Sequence, residues 1–273
     1  MKNKYSILIT AFLALWLVIG VTACSDDSTS GEEPEDNCNA LSLPSELAPA
    51  TIAIEYFNTQ NVPNDEEHTV YHQVESTAIA GSGYLSFGGS AGTISTFLAA
   101  APQLGLEAEA QDGNCVWNID FAQDFPQFGI DAAITVTAMQ AGEQVNWQVI
   151  YDGELEEQSL DNFLFLDGFT SNDQSTGEWN GYDPANPGSP AYTYTWDIES
   201  EDNYELNIDI FQQGAAVGSV NYVRSGVEND MTLTAEGQTN AVLYWNEDTN
   251  SGWIEPEGGE RMCYTDFMNS TCS

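Results

Sequence analysis

Residues 191–198 read Ala-Tyr-Thr-Tyr-Thr-Trp-Asp-Ile. Tyr192, Tyr194, Trp196 and Ile198 alternate with Thr193, Thr195 and Asp197. A like side chain at every second residue is the period of a strand, because successive Cβ atoms point to opposite faces of the pleat. A helix would scatter these four bulky groups around its circumference. The stretch is expected to be a strand with one oily and one wet face.

The same period spreads outward. Leu206, Ile208 and Ile210 alternate with Glu205, Asn207 and Asp209, and Val145, Trp147, Val149 and the pair Val242, Tyr244 repeat the habit. One wet face marks an antiparallel sheet. Turn signals separate the runs at Ala141-Gly142, Asp152-Gly153, Asp183-Pro184, Asn186-Pro187-Gly188, Gln213-Gly214, Ser225-Gly226 and Glu236-Gly237. Two loops are alike: 172–177 precedes Glu178-Trp179, and 246–252 precedes Trp253. Both read as hairpin turns along one meander. About ten strands follow from Cys115 onward. No later stretch is long and helical enough for a crossover, so sequence neighbours should pair. Twist curls so long a sheet, and closure removes its edges. The expected fold is mainly β: an antiparallel meander curled into a closed or nearly closed barrel, with two or three N-terminal helices packed in or under it. A two-sheet sandwich is the alternative.

Before Cys115 the period is helical. Pro63-Asn64-Asp65-Glu66-Glu67 reads as a capped start, with Asn64 as N-cap and Glu67 three residues on. Val70, Tyr71, Val74 and Ala78 recur at helical spacing, and Gly81 and Gly83 should end the helix near residue 80. A second helix is expected over Thr93–Ala101, closed by Pro102. The organisation is then residues 1–23 as a leader, 24–39 as a tether, 40–114 as a helical segment and 115–273 as the β domain, the last two packed as one unit.

The leader begins Met1-Lys2-Asn3-Lys4 and continues apolar from Ile7 to Val21. A basic start, a short apolar run and small residues before a cut describe an export signal. Val21-Thr22-Ala23-Cys24 resembles the lipobox of bacterial lipoproteins. The resemblance implies that Cys24 is lipidated and becomes the first mature residue. Several acyl chains on one residue give stable anchoring, where one chain binds only marginally. Ser25–Asn37 then carries Asp26, Asp27, Glu32, Glu33, Glu35 and Asp36 with no large apolar residue, the composition of a solvated tether. It is similar to the acidic signals that some Gram-negative groups place after the lipid cysteine for surface export; a plain spacer is the alternative. The expected location is the cell envelope, anchored at the outer membrane and surface-exposed or facing the periplasm.

The chain has 43 acidic residues against 4 basic ones. Lys2 and Lys4 lie in the leader, so the mature chain would keep only Arg224 and Arg261 and a formal charge of −41. Nucleic-acid binding, which needs cations on phosphates, is excluded on this count, as is lysine Schiff-base chemistry. A saline habitat that screens self-repulsion is the first explanation of the charge, and binding of cations or a basic partner the second.

Cys38, Cys115, Cys263 and Cys272 remain for disulfides in an oxidising compartment. Barrel closure would bring Cys115 beside Cys263 and leave Cys38 with Cys272; the local pair Cys263–Cys272 is the alternative. His68 and His72 stand four apart with Glu75 on the same side, a spacing that can hold a metal. The glutamate of an HExxH motif is absent, and no metal is expected: the pair reads as exposed helix polars. Asn246, Asp248 and Asn250 alternate as in a calcium loop, but the glycine is one place late. A hairpin turn is expected there, with Ca²⁺ as the alternative. No G-x-S-x-G occurs, and no catalytic residue is assigned. Trp117, Trp147, Trp179, Trp196, Trp245 and Trp253 could stack sugars, but core packing is the expected use. The body resembles, in outline, lipoprotein-carrier half-barrels that shelter acyl chains. The functional expectation is a non-enzymatic envelope protein binding an apolar ligand or partner. A carbohydrate-binding or carbohydrate-processing lipoprotein, and a structural surface protein with no small ligand, are the alternatives.

Overall fold

The structure is a computed structural model that describes residues 38, 41, 50–85, 107–124, 131–155 and 158–272. The leader, the tether up to residue 37 and the helix expected over Thr93–Ala101 lie outside the described residues. Two longer elements precede the sheet: α1 (Glu55–Thr59) and α2 (Thr69–Leu85), the latter entered through a 3-10 turn at Glu66–His68. The strands are β1 (Glu109–Gln111), β2 (Asn114–Asp120), β3 (Ala132–Ala141), β4 (Gln144–Leu155), β5 (Gln158–Ser171), β6 (Thr176–Tyr182) and β7 (Pro190–Ser200). They continue with β8 (Asn203–Gln212), β9 (Ala215–Ser225), β10 (Glu228–Ala235), β11 (Gln238–Asn246), β12 (Ser251–Pro256), β13 (Met262–Thr265) and β14 (Met268–Ser270). A short helix, α3 (Phe121–Asp124), lies between β2 and β3.

All fourteen strands form one antiparallel sheet in sequence order. The meander is as expected, with more strands than ten. The expected closure is corrected: the order ends at β1 and β14, which do not pair. Both edge strands are three residues long with polar or exposed side chains, and short edges of this kind blunt the pull toward pairing that closure would otherwise relieve. The two-sheet sandwich does not form either.

Alternation holds across the sheet. One apolar row runs Cys115, Ala138, Trp147, Gly168, Trp179, Tyr194, Ile208, Val220, Leu233, Ala241, each directly opposite the next on the neighbouring strand. The glycines in this face are sites of ring contact. Gly177 stands opposite Trp196, and Gly181 opposite Tyr192. A methyl group at either would run into the facing ring. In β11 the phase differs from the expected one: Ala241, Leu243 and Trp245 are buried, while Val242 and Tyr244 lie on the other face. The run Ala241–Trp245 is apolar throughout, so only its partners decide which half faces in. Asp152-Gly153, expected as a turn, lies inside β4 at a register shift, with Gly153 at φ +139 against Ala132. It is a bulge.

The N-terminal segment lies on the apolar face. Ile52 and Phe57 are buried, and Phe57 packs against Tyr71 of α2 and Trp245 of β11. Three tyrosines of adjacent strands satisfy the backbone of the strap at 50–53. Tyr194 donates to the Ala50 carbonyl (2.9 Å) and Tyr204 to that of Thr51 (2.7 Å). The Ala53 N–H donates to the Tyr222 hydroxyl (3.2 Å), which donates in turn to Asn229 Oδ1 (2.5 Å). An extended segment with no strand partner needs such donors and acceptors, because unpaired buried backbone groups are costly.

Helix α2 packs over β11–β14 through Val70, Tyr71, Val74 and Ala78. It continues to Leu85 rather than ending near residue 80. Gly81 serves packing, not termination: a Cβ there would stand 2.8 Å from the Met231 sulfur. The cap also differs. Asp65, not Asn64, accepts from Glu67 N–H (3.0 Å), and Asn269 of β14 accepts from Val70 N–H (2.9 Å) while donating to the Glu66 carbonyl (2.7 Å).

The disulfides are Cys38–Cys115 and Cys263–Cys272. The expected pairing of Cys115 with Cys263 is therefore corrected, as is that of Cys38 with Cys272. It rested on closure; in an open sheet β2 and β13 stay far apart in the strand order. The local alternative, Cys263–Cys272, is the bridge that forms.

Candidate binding cleft

The turns β1–β2, β3–β4 and β5–β6 all lie at one end of the meander. There the apolar face carries small side chains: Ala138, Val145 and Thr170. Small residues flanked by turns leave room, and a cavity of about 380 Å³ opens at this place. Such a volume falls within the range of small-ligand pockets, roughly 300–1,000 Å³. Among the described residues, its walls are Cys38 and Leu41, the turn residue Gly113, the start of β2, and residues of β3, β4, β5 and the 172–174 turn.

Trp147 forms part of the floor. Its ring stacks on Trp117 (6.2 Å between centroids), and its Nε1 donates to the buried Thr170 hydroxyl (3.0 Å). Both interactions hold the indole in one pose. The Cys38–Cys115 bridge fixes the wall beside it, and Cys38 Sγ lies 4.0 Å from the Asn114 carbonyl.

Side-chain amides make the rim. Gln140 Nε2 donates to the Gly142 carbonyl (2.7 Å), to Asn172 Oδ1 (2.8 Å) and, at 3.2 Å, to the Gln144 carbonyl. This joins the two turns and leaves Gln140 Oε1 without a bond among the described residues. Gln174 sits at φ +59, and its carbonyl accepts from Trp196 Nε1 (3.0 Å), so the backbone is pinned and the side-chain amide is left over. The Asn114 side chain and Asn172 Nδ2 likewise make no hydrogen bond among the described residues. Behind the rim, Asp173 is held by its turn: hydrogen bonds from the Ser171 and Ser175 hydroxyls, then from Ser175 N–H, bring its carboxyl down to about 2.

Among the described residues, no lining side chain is ionisable. In a chain with 43 acids, the described lining is neutral.

The residues singled out from sequence fall elsewhere. Cys24 is outside the described residues. His68 Nδ1 meets Asp65 (2.6 Å), while His72 Nδ1 meets Glu75 (2.8 Å) and its Nε2 the Pro63 carbonyl (3.0 Å). The two imidazoles are thus engaged separately, and no group of three or more metal-binding side chains gathers among the described residues. Burial works against charge on His72, but the Glu75 and Pro63 hydrogen bonds outweigh it and raise its pKa.

In the 246–250 loop, Asn246 Oδ1 accepts from the N–H groups of Asp248 (3.1 Å) and Thr249 (2.9 Å), and Asn250 Oδ1 accepts from Tyr56 (3.1 Å). These oxygens are used by the turn and by α1. Of the six tryptophans, Trp117, Trp147, Trp179, Trp196 and Trp245 are buried, and Trp253 on the other face lies under Arg261 (3.8 Å).

The amides of the rim carry no motif in the sequence. Only the 172–177 turn is marked there, by its likeness to 246–252. No protein-family model matches the chain, and a search of curated proteins finds no match.

Proposed function

We propose that the chain is a lipid-anchored cell-envelope protein, held at the outer membrane through acylated Cys24, whose β head binds an uncharged polar ligand in the cleft without chemical conversion. The observation that carries this reading is the neutral, amide-rimmed lining in an otherwise acidic molecule. Such a lining offers no carboxylate pair for glycoside hydrolysis and no cation for a phosphate. An apolar guest is less well served: over β7–β13 the apolar face is already covered by residues 50–59 and α2. That same covering favours the second reading, a structural surface protein with no small ligand.

Purification of the full chain from its membrane, followed by mass spectrometry of what it releases, separates these readings. A neutral polar compound is expected. Acyl chains would sink the proposal, and an empty protein that binds nothing from envelope extracts would favour the structural reading. The anchor is tested by labelled palmitate, whose incorporation should vanish in Cys24→Ser.

A further inference from the structure

We infer that the cleft ligand is a neutral oligosaccharide, recognised through pairs of adjacent hydroxyls by the unpaired amide atoms of Asn114, Gln140, Asn172 and Gln174; this rests on the cleft being the binding site. Each sugar hydroxyl both donates and accepts one or more hydrogen bonds. A side-chain amide offers a donor and an acceptor side by side, so a rim of amides matches neighbouring hydroxyls without charge. The supply fits: among the described residues Gln140 Oε1 remains as an acceptor, Asn172 Nδ2 as a donor, and the Asn114 and Gln174 side chains as both.

The anchoring bonds also matter. The Gln140 bridge to Asn172 and the Trp196 bond to the Gln174 carbonyl hold the rim backbone before any ligand arrives. Preorganisation of this kind lowers the ordering cost of binding. The floor is fixed as well: Trp147 is locked by Thr170 and Trp117 and is almost wholly buried, so it closes the base of the cleft and leaves recognition to the rim. A peptide, the other neutral hydrogen-bonding polymer, is taken up mainly along an open strand edge. The lining here comes from hairpin turns and the strands behind them.

Calorimetric titration of the full chain in detergent tests this. The probes are neutral tetrasaccharides of glucose, mannose and galactose, with acetyl-tetra-alanine amide as the neutral non-sugar. At least one tetrasaccharide should bind saturably and the peptide should not. The double variant Gln140→Leu/Asn172→Leu, at exposed positions, should lose about tenfold or more in affinity, the equivalent of one lost hydrogen bond or more at ~1.4 kcal/mol per decade, while its circular-dichroism spectrum shows the sheet retained. Binding of the peptide and of no sugar would overturn the sugar assignment while leaving the cleft as the site. Sugar binding undiminished in the double variant would overturn the cleft itself. Failure of every probe would sink both.

Discussion

The two halves of one sheet treat their apolar face differently. From β7 to β13 the face is rich in large rings, and the chain's own residues 50–59 and α2 lie on it. From β2 to β5, at the turn end, the facing residues are Ala138, Val145 and Thr170, and a cleft remains. Both halves obey the same two-residue alternation. Away from its turn end the β2–β5 half is also large and buried, with Trp117, Ile119, Val136 and Phe165; what differs is side-chain size at the turn end and the supply of hydroxyls. Tyr194, Tyr204 and Tyr222 reach out to the backbone of the strap, and burial raises their pKa values, so the hydroxyls stay protonated at ordinary pH. In the other half the hydrogen-bonding groups are amides with capacity left over. A sheet can thus be sealed where its rings carry hydroxyls and left receptive where its amides face out.

The largest test of this contrast is in the sealed half. Trp245 is fully buried among Phe57 and Tyr222, and Trp245→Ala should cost about 3–5 kcal/mol in urea unfolding. The bridges have effects of the same size. Cys38–Cys115 spans 77 residues of sequence and Cys263–Cys272 only 9. In the chain-entropy account, loss of the first should cost about 4–5 kcal/mol and of the second roughly 3; equal costs for the two Ser/Ser variants would contradict that ordering. Tyr222→Phe removes a hydroxyl that serves both Ala53 and Asn229, for an expected loss of ~1–3 kcal/mol. Unchanged stability in this variant would show that the strap does not need the Tyr222 hydroxyl. In the receptive half, Gln140→Leu removes an exposed bridge between two turns and should cost only about 0.5–1.5 kcal/mol.

The smallest effect is a pH dependence. The folded His72 pKa lies above its unfolded value of ~6.5. Its contribution is therefore fully present below that unfolded value and is lost as pH rises through the folded one. The stability gap between the protein and His72→Gln should be widest near pH 5.5 and narrow at pH 8.5. A gap that widened toward alkaline pH would reverse the assignment.

Legibility in the sequence followed locality. The strand at Tyr192–Ile198 and the hairpins at 213–214, 225–226 and 236–237 were readable because alternation and turn residues are short-range signals. Asp152-Gly153 carried the same turn signature yet is a bulge, since only its partner Ala132 distinguishes the two. Gly81 looked like a helix stop and is instead a point of contact with Met231, a residue 150 positions away. The cleft was not legible, because its rim is assembled from three turns whose neighbours in space are set by the sheet.

By itself, the sequence determined the class, the meander and the neutral-versus-acid balance of the chain, all of which depend on period, composition and adjacent residues. Only the tertiary structure decided that the sheet stays open, which cysteines join, and where the strap lies. Each of those is a choice between long-range partners, and a one-dimensional pattern that repeats every second residue fits many such partners equally well until packing and hydrogen bonding select one.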